Sequence, residues 1–434
     1  MNKVNIIGAG LAGCEAAWLL ASHDIEVTLF EQKPAKFSPA HSNSGFAELV
    51  CSNSLKAERV NSAAGLLKAE MSLLGSLTVE TALNCRVPAG GALAVDKDVF
   101  SNMITEKIHL NPFITVVEGE QTSIPSGITI IATGPLTEGG LAREISAITG
   151  DYLSFYDAAA PIVLKKSVDF SAAFYGSRYD RGTQEDGDYI NCPMNKEEYE
   201  RFYSAIVSAE GAIVRSFDKG AVYEGCMPIE VLANRGADTM RYGPLKPVGL
   251  TDPRTERRPY ANLQLRRENL GDTMYNLVGF QTNLKFLEQQ RVFSLIPALK
   301  NAEFVRYGVM HRNSFINSPG CLNADSSLVS RPEIFVAGQL TGVEGYMESA
   351  AGGIYAALNV VRRLAGESPF ALPSYTMTGA LMTYITDRSV TKFQPMGANF
   401  GLLPPLDEHI RDKQERYAAL AERSLAYIRS YIKK

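Results

Sequence analysis

The chain has 434 residues, 45% apolar and 21% charged, which is a globular composition and long for a single core, so more than one domain is expected. Its net charge of −4, from 43 basic and 47 acidic residues, excludes a nucleic-acid binder that relies on whole-surface charge; any RNA contact has to come from a local patch. Six cysteines at 14, 51, 85, 192, 226 and 321 form no CxxC pair, which argues against zinc and against a disulfide scaffold. With no leader-like start and no apolar run of spanning length, the expectation is a reduced, cytoplasmic chain without a membrane partner.

The first element is the most informative. KVNIIGAGLAGCEAAWLLASHDIEVTLFEQK, residues 3–33, reads as strand, glycine turn, helix and second strand. Gly8, Gly10 and Gly13 form GxGxxG. The first glycine allows a tight turn, the second lets a pyrophosphate approach the backbone, and the third lets the helix pack on the strand. The helix start offers unpaired N–H groups to phosphate. Glu31, eighteen residues after Gly13, is placed to accept from an adenosine ribose. Cys14, Ala16, Ala17 and Leu20 are expected in the core.

Next comes ELVCSNSLK, residues 48–56, where an apolar run ends at Val50 and a thiol follows among Ser52, Asn53 and Ser54. Free cysteine usually packs as a small hydrophobe. Whether Cys51 does so depends on its surroundings. ITIIATGP, 128–135, is a buried strand ending in a Thr-Gly turn. EIFVAGQLTGVEGYMESAAGGIYAALNVV, 333–361, is another strand, a glycine turn and a helix of small residues. A strand and helix that return so far downstream suit a long cofactor such as FAD. The second helix would aim its N-terminus at the flavin or its ribityl arm. No second GxGxxG exists, so a pyridine nucleotide would dock only transiently.

Between these halves, residues 151–300 hold short strands, many tyrosines and Pro/Gly turns, and read as an insertion. Cys226, in YEGCMPIEVLANRG, falls on a turn, where a thiol is a better nucleophile candidate than on a core face. RTERRPYANLQLRR, 254–267, sets five arginines against one glutamate. It is either a phosphate and base contact or a strand with a solvated face. His311, in GVMHRNSFINSPG, either stacks on a ligand or is structural, and His41 is a loop residue of the same kind. No metal-binding histidine pattern is present. Residues 407–434 form an amphipathic helix with Ile410, Tyr417, Ala421, Ile428 and Ile432 on one face. It is expected to dock on the body, with a basic outer face free for RNA. The predicted fold class is α/β: a Rossmann-like FAD-binding domain of the glutathione-reductase type over 1–150 and 301–434, interrupted by an α+β insertion domain over 151–300. Lacking a nucleophile elbow or P-loop, the chain leaves its chemistry to a cofactor.

Over nearly its whole length the chain resembles the folate- and FAD-dependent tRNA (uracil-5-)-methyltransferase family (TrmFO, formerly Gid). The resemblance rests on GAGLAGCEAAW at 8–18, FAELVCSNSLK at 46–56, AAGLLKAEM at 63–71, VPAGGALAVD at 87–96 and EGCMPIEVLANRG at 224–236. It continues in YGPLKPVGLTDPRTERRPYANLQLR at 242–266, GFQTNLKFLEQQRVF at 279–293, YGVMHRNSFINSP at 307–319 and GQLTGVEGYMESAAGG at 338–353. It implies formation of 5-methyluridine in the T-loop of tRNA, with 5,10-methylenetetrahydrofolate as carbon donor, reduced FAD as hydride source and NADPH or NADH as reductant. Related enzymes act on 23S rRNA, and these motifs do not choose between the RNAs. The implied partners are RNA and folate, with no DNA. By motif, Cys226 would attack uracil C6 and Cys51 would handle a proton or protect an intermediate, or the reverse. His311 would stack on the pterin, Arg291 and Tyr346 would help bind folate or flavin, and Gly338 and Gln339 would lie near the ribityl chain. Gln339 stands where other flavoproteins commonly have aspartate. A non-methylating RNA-binding flavoprotein remains an alternative. The related wobble-uridine flavoproteins are longer chains with an extra helical domain.

Overall fold

The computed structural model describes residues 3–180, 182, 187–212 and 227–433. It opens with β1 (Lys3–Ile7), α1 (Leu11–Ala21) and β2 (Glu26–Glu31). A small antiparallel sheet follows from β3 (Ser54–Ala57), β4 (Arg86–Val87) and β5 (Ala92–Val95), with α2 (Ala63–Leu73) and α3 (Leu77–Asn84) between its strands. Then come α4 (Lys97–Leu110), β6 (Ile114–Glu118), β7 (Thr129–Ile131) and α5 (Gly139–Thr149). After the insertion, α10 (Ser318–Cys321), β16 (Ile334–Val336) and α11 (Tyr346–Leu364) return to the first sheet, and α12 (Met377–Thr386) and α13 (Lys413–Ile432) close the chain.

The first sheet is parallel, in the order β16-β7-β1-β2-β6. Val4, Ile6, Leu29 and Ile130 are fully buried in it. Chain direction around the sheet changes beside β1, and in open parallel sheets such a switch point leaves a crevice at the strands' carboxyl ends. The helices α1 and α11 touch backbone to backbone there. A Cβ at Gly353 would lie 2.1 Å from the Ala12 carbonyl oxygen, and one at Gly13 would lie 1.8 Å from that of Gly8. The small residues of both helices are therefore steric requirements. Cys14, Ala16, Ala17 and Leu20 are fully buried, as expected.

The insertion leaves and returns through a two-stranded neck of β8 (Leu153–Ala158) and β15 (Met310–Phe315), antiparallel with His311 opposite Asp157. Beyond the neck lie β9 (Ile162–Leu164), β10 (Phe174–Gly176), β11 (Tyr189–Met194), β12 (Ala261–Arg267), β13 (Met274–Leu277) and β14 (Phe304–Arg306). They form one antiparallel sheet ordered β10-β11-β12-β13-β9-β14. It has its own core, where α6 (Lys196–Val207) and α9 (Phe286–Phe293) pack through Phe202, Phe280 and Phe293. Two short helices, α7 (Ile229–Asn234) and α8 (Thr239–Tyr242), complete it.

The C-terminal helix differs from the pattern read in the sequence. It starts at Lys413, capped by Asp412, whose carboxylate accepts from Gln414 N and Glu415 N at 2.8 Å. Its buried seam is Leu420, Ala421, Ser424, Leu425 and Ile428, while Ile432 is 48% exposed. Ser424 enters the seam because the buried Glu70 of α2 accepts its hydroxyl and also caps α12 through Met377 N and Thr378 N. No helix of the described residues is long and apolar enough to cross a membrane.

Candidate functional site

A cleft runs along the carboxyl ends of β1 and β7 and continues to the neck and the start of α11, enclosing about 400 Å³. At one end it is built from backbone. Gly8 takes φ +101°, and a Cβ there would stand 2.6 Å from the Ala132 carbonyl oxygen. A Cβ on Gly10 would meet nothing within 4 Å, so the space above it is open. Helix α1 begins at Gly10 with no side-chain cap and no acid in its first turn. Free N–H groups and a partial positive charge therefore face open space, which fits a diphosphate. Glu31 is buried and accepts from Ala9 N at 2.8 Å and Lys33 N at 3.0 Å. It braces the glycine loop and still lines the cleft, with acceptor capacity left for a ribose.

Midway, Gly338 holds φ +77° against Ala12, and the Gln339 side chain donates to Glu344 at 2.6 Å. Burial first, then the neighbouring Asp157, pushes the Glu344 carboxyl up to about 8. Helix α11 also starts without a side-chain cap, at Gly345. Residues Gly338, Gln339 and Gly345 all line the cleft. The cradle suits FAD: an open glycine turn with free donors for the diphosphate, and a long channel beyond it.

The far end holds Cys51. Its backbone N–H donates to the Tyr346 hydroxyl oxygen at 2.8 Å, and that of Ser52 does so at 3.3 Å. Two N–H groups thus occupy the lone pairs of that oxygen, so its own proton is directed at Cys51 Sγ, 2.9 Å away. Cys51 keeps some exposure towards the cleft. Even so, burial of the sulfur, followed by Asp157, pushes the thiol up to about 12. His311 lines the same cleft, its ring held below its usual range by burial, then Arg306, then His41. His41 also lines the cleft and bonds Ser38 Oγ at 2.6 Å through Nδ1.

Of the residues singled out in the sequence, Gly8, Gly10, Glu31, Cys51, His311, Gly338, Gln339 and Tyr346 share this cleft, and Gly13 packs directly beneath the loop. Arg291 does not join them. It lies half exposed on α9, forked onto Glu288 at 2.9 and 2.6 Å. Cys226 lies outside the described residues. The basic run 254–267 is divided: Arg266 is buried against the Cys51 loop and Arg267 pairs with Asp272, while Arg254, paired with Asp252, stays exposed. Arg257 and Arg258 are exposed. Sequence reasoning missed Asp157, Glu344 and Arg306. A lone acid or arginine in a strand or turn carries no spacing signal, and only the neck pairing brings Asp157 to His311.

Comparison with known proteins matches this architecture. The family model for glucose inhibited division protein A matches residues 3–368. The methylenetetrahydrofolate–tRNA-(uracil-5-)-methyltransferase TrmFO of Acetivibrio thermocellus is 55% identical over 436 aligned positions, covering 100% of this chain and 99% of that one. The protein of the same name from Desulfitobacterium hafniense is 55% identical over 433 positions, covering 99% and 98%. The crystal structure of Aquifex aeolicus GidA superposes with a TM-score of 0.70 at 16% identity, over 99% of this chain and 73% of that one, a likeness of fold. The parallel sheet with its glycine turn, the inserted second sheet and full-length relatives at this identity together place the chain in the glucose inhibited division protein A family, among proteins named methylenetetrahydrofolate–tRNA-(uracil-5-)-methyltransferase.

Proposed function

We propose that this protein forms 5-methyluridine in tRNA, with 5,10-methylenetetrahydrofolate as carbon donor and FAD as its flavin. The observation that carries the reading is one continuous cleft, lined from an uncapped helix start at Gly10 to the Cys51 thiol and His311. Bound there, reduced flavin supplies the two electrons that take a carbon from the formaldehyde level to a methyl group. Gly8, Gly10, Gly13 and the start of α1 hold the diphosphate, Glu31 serves the ribose, and Gly338 and Gln339 serve the ribityl arm. His311, kept neutral, offers a flat ring to the pterin.

Uracil C5 becomes nucleophilic only after a thiolate adds at C6. Two features support Cys226 as that attacker and Cys51 as the proton-handling partner. Cys51 is held as a thiol by burial and by Asp157. Ile229, three residues past Cys226, donates its N–H to the carbonyl of Gln281, a cleft residue, at 2.7 Å. Arg291, paired with Glu288 away from the cleft, is given no part in folate binding. The reductant is NADPH or NADH docking transiently, in keeping with a single GxGxxG. The five described cysteines are unpaired, which suits a reducing cytoplasm.

For RNA, the reading favours the insertion surface where Arg257 and Arg258 are exposed, Tyr242 is 83% exposed and the Arg241 guanidinium lies 3.6 Å over the Tyr260 ring. Replacing Arg257 and Arg258 with Ala should weaken tRNA binding and lower the slope of log affinity against log salt by about one for each phosphate no longer neutralised. The test of the function is purified holoprotein with NADPH, labelled methylenetetrahydrofolate and unmodified transcripts of tRNA and 23S rRNA fragments. Label in the tRNA T-loop is expected. Label in rRNA alone moves the substrate to the ribosome, and no label in any RNA favours a non-methylating RNA-binding flavoprotein.

A further inference from the structure

The stretch Val50–Asn53 carries the thiol of the site, yet the insertion domain supplies much of what holds it. Arg306 of β14 donates from Nη1 to the Val50 carbonyl at 3.1 Å and from Nη2 to that of Cys51 at 3.3 Å. Arg266 of β12 donates from Nε to Asn53 Oδ1 and from Nη2 to Ser52 Oγ, both at 2.8 Å. Asn53 is fully buried and returns a bond to the Arg267 carbonyl at 2.9 Å. Two guanidinium groups therefore straddle Cys51, one on the main chain at and before it, the other on the two side chains after it.

The spacing of these two groups is not adjustable. β12 and β14 are separated in the sheet by β13 and β9, so their separation is set by the ladder itself. The end of β12 is further pinned to the first domain. Leu270 N donates to Asp96 at 2.8 Å, Lys97 pairs with the buried Glu268, and Gly90 N donates to Asp188 of the insertion at 2.6 Å. A guanidinium offers donors in a rigid planar fork that an ammonium cannot imitate. Burial acts most strongly on the Cys51 thiol, followed by Asp157, the Tyr346 hydrogen bond, Glu344 and Lys97. The arginine contacts are made to the main chain and side chains around Cys51, not to its sulfur, so they fix where the sulfur sits, and an Arg-to-Lys exchange keeps their charge.

We propose that Arg266 and Arg306 are positioning residues for Cys51: a guanidinium clamp through which the insertion domain sets the place of the thiol in the cleft. The proposal rests on Cys51 being a reacting group. It also removes Arg266 from the RNA-contact role that its basic neighbourhood suggests.

The test uses full-length, flavin-loaded Arg266→Lys and Arg306→Lys. Arg306 is only half-buried, so its variant keeps the test open if Arg266→Lys misfolds. Alkylation of Cys51 by iodoacetamide is followed by peptide mass across pH, with Cys321, half-buried and outside the cleft, as the internal control. Expected are Cys51 alkylation about tenfold faster at every pH with an unchanged profile shape, Cys321 unaltered, and kcat for tRNA methylation reduced about tenfold or more. The KM for tRNA should stay within about twofold. A raised KM with kcat and Cys51 reactivity unchanged would make these arginines RNA contacts and overturn the proposal. Equal acceleration at Cys51 and Cys321 would mean general loosening and would overturn it too. The alkylation arm needs no methyl transfer, so it reads the clamp even if the RNA substrate is wrong.

Discussion

The two ends of the cleft are built by different means. The nucleotide end comes from one stretch, residues 3–33, and works through backbone N–H groups, open space over Gly10 and a brace from Glu31. The thiol end gathers Cys51, Asp157, Arg266, Arg306, His311, Glu344 and Tyr346 from segments scattered over the chain. Backbone chemistry depends on where side chains are absent, so it is set by local glycine spacing. Side-chain chemistry in a buried place needs every polar group satisfied by a partner, and those partners are free to come from anywhere.

That contrast is broken most severely at the nucleotide end. Gly13→Ala puts a Cβ 1.8 Å from the Gly8 carbonyl oxygen. It should cost about 3 kcal/mol and most of the bound flavin, seen as a lower Tm and a lower flavin-to-protein absorbance ratio. Gly10→Ala meets nothing within 4 Å and sharpens the comparison. The apoprotein should melt like wild type while flavin titration shows affinity reduced about tenfold or more, because the methyl group fills the space left for the pyrophosphate. Equal loss of Tm in both variants would refute the separate roles given to the two glycines.

A middle-sized effect is expected at the thiol end. Tyr346→Phe leaves the N–H groups of Cys51 and Ser52 without their acceptor, at about 1–3 kcal/mol. It also removes the bond that lowers the Cys51 thiol against burial. The sulfur loses the hydroxyl that orients it for proton transfer, and turnover should fall about tenfold with bound flavin retained. Unchanged turnover would show that the hydroxyl serves only packing.

The smallest effect is a pH dependence. Glu344 is raised from 4.5 to about 8 in the folded chain, so between those values the native state holds the extra proton. Its contribution is therefore favourable at low pH and is lost as pH rises through that window. Glu344→Gln keeps an acceptor for Gln339 and carries no charge. The variant should melt close to wild type at pH 5 and a few degrees above it at pH 8. Parallel Tm curves across that range would contradict the assigned shift.

Legibility followed the same division. The glycine turn, the paired strands β1 and β2, and the returning β16 and α11 were readable from the residues, while Cys51 was left open by its own segment and came forward only through the family resemblance. In the run 254–267 the composition left a phosphate contact and a solvated strand face equally open, and Arg266 and Arg267 fit neither, turning to partners inside the protein while Arg254, Arg257 and Arg258 stay exposed. β12 is covered on both sides, with Ala261 through Arg266 all buried, so its arginines had to find internal acceptors. In the C-terminal helix, apolar periodicity picked Ile432. The structure buried Ser424 instead, because the buried Glu70 carboxylate of α2, which also caps α12, accepts its hydroxyl.

By itself the sequence determined the nucleotide-binding half, since a glycine can be replaced by nothing else where backbone meets backbone or phosphate. It singled out Cys51 and Cys226 only through the family resemblance, and the structure sets Cys51 on the cleft. Only the tertiary structure decided what holds that thiol. Burying a sulfur, two carboxylates and two guanidinium groups together requires partners from β8, β12, β14 and the start of α11, and no spacing along the chain records which will meet.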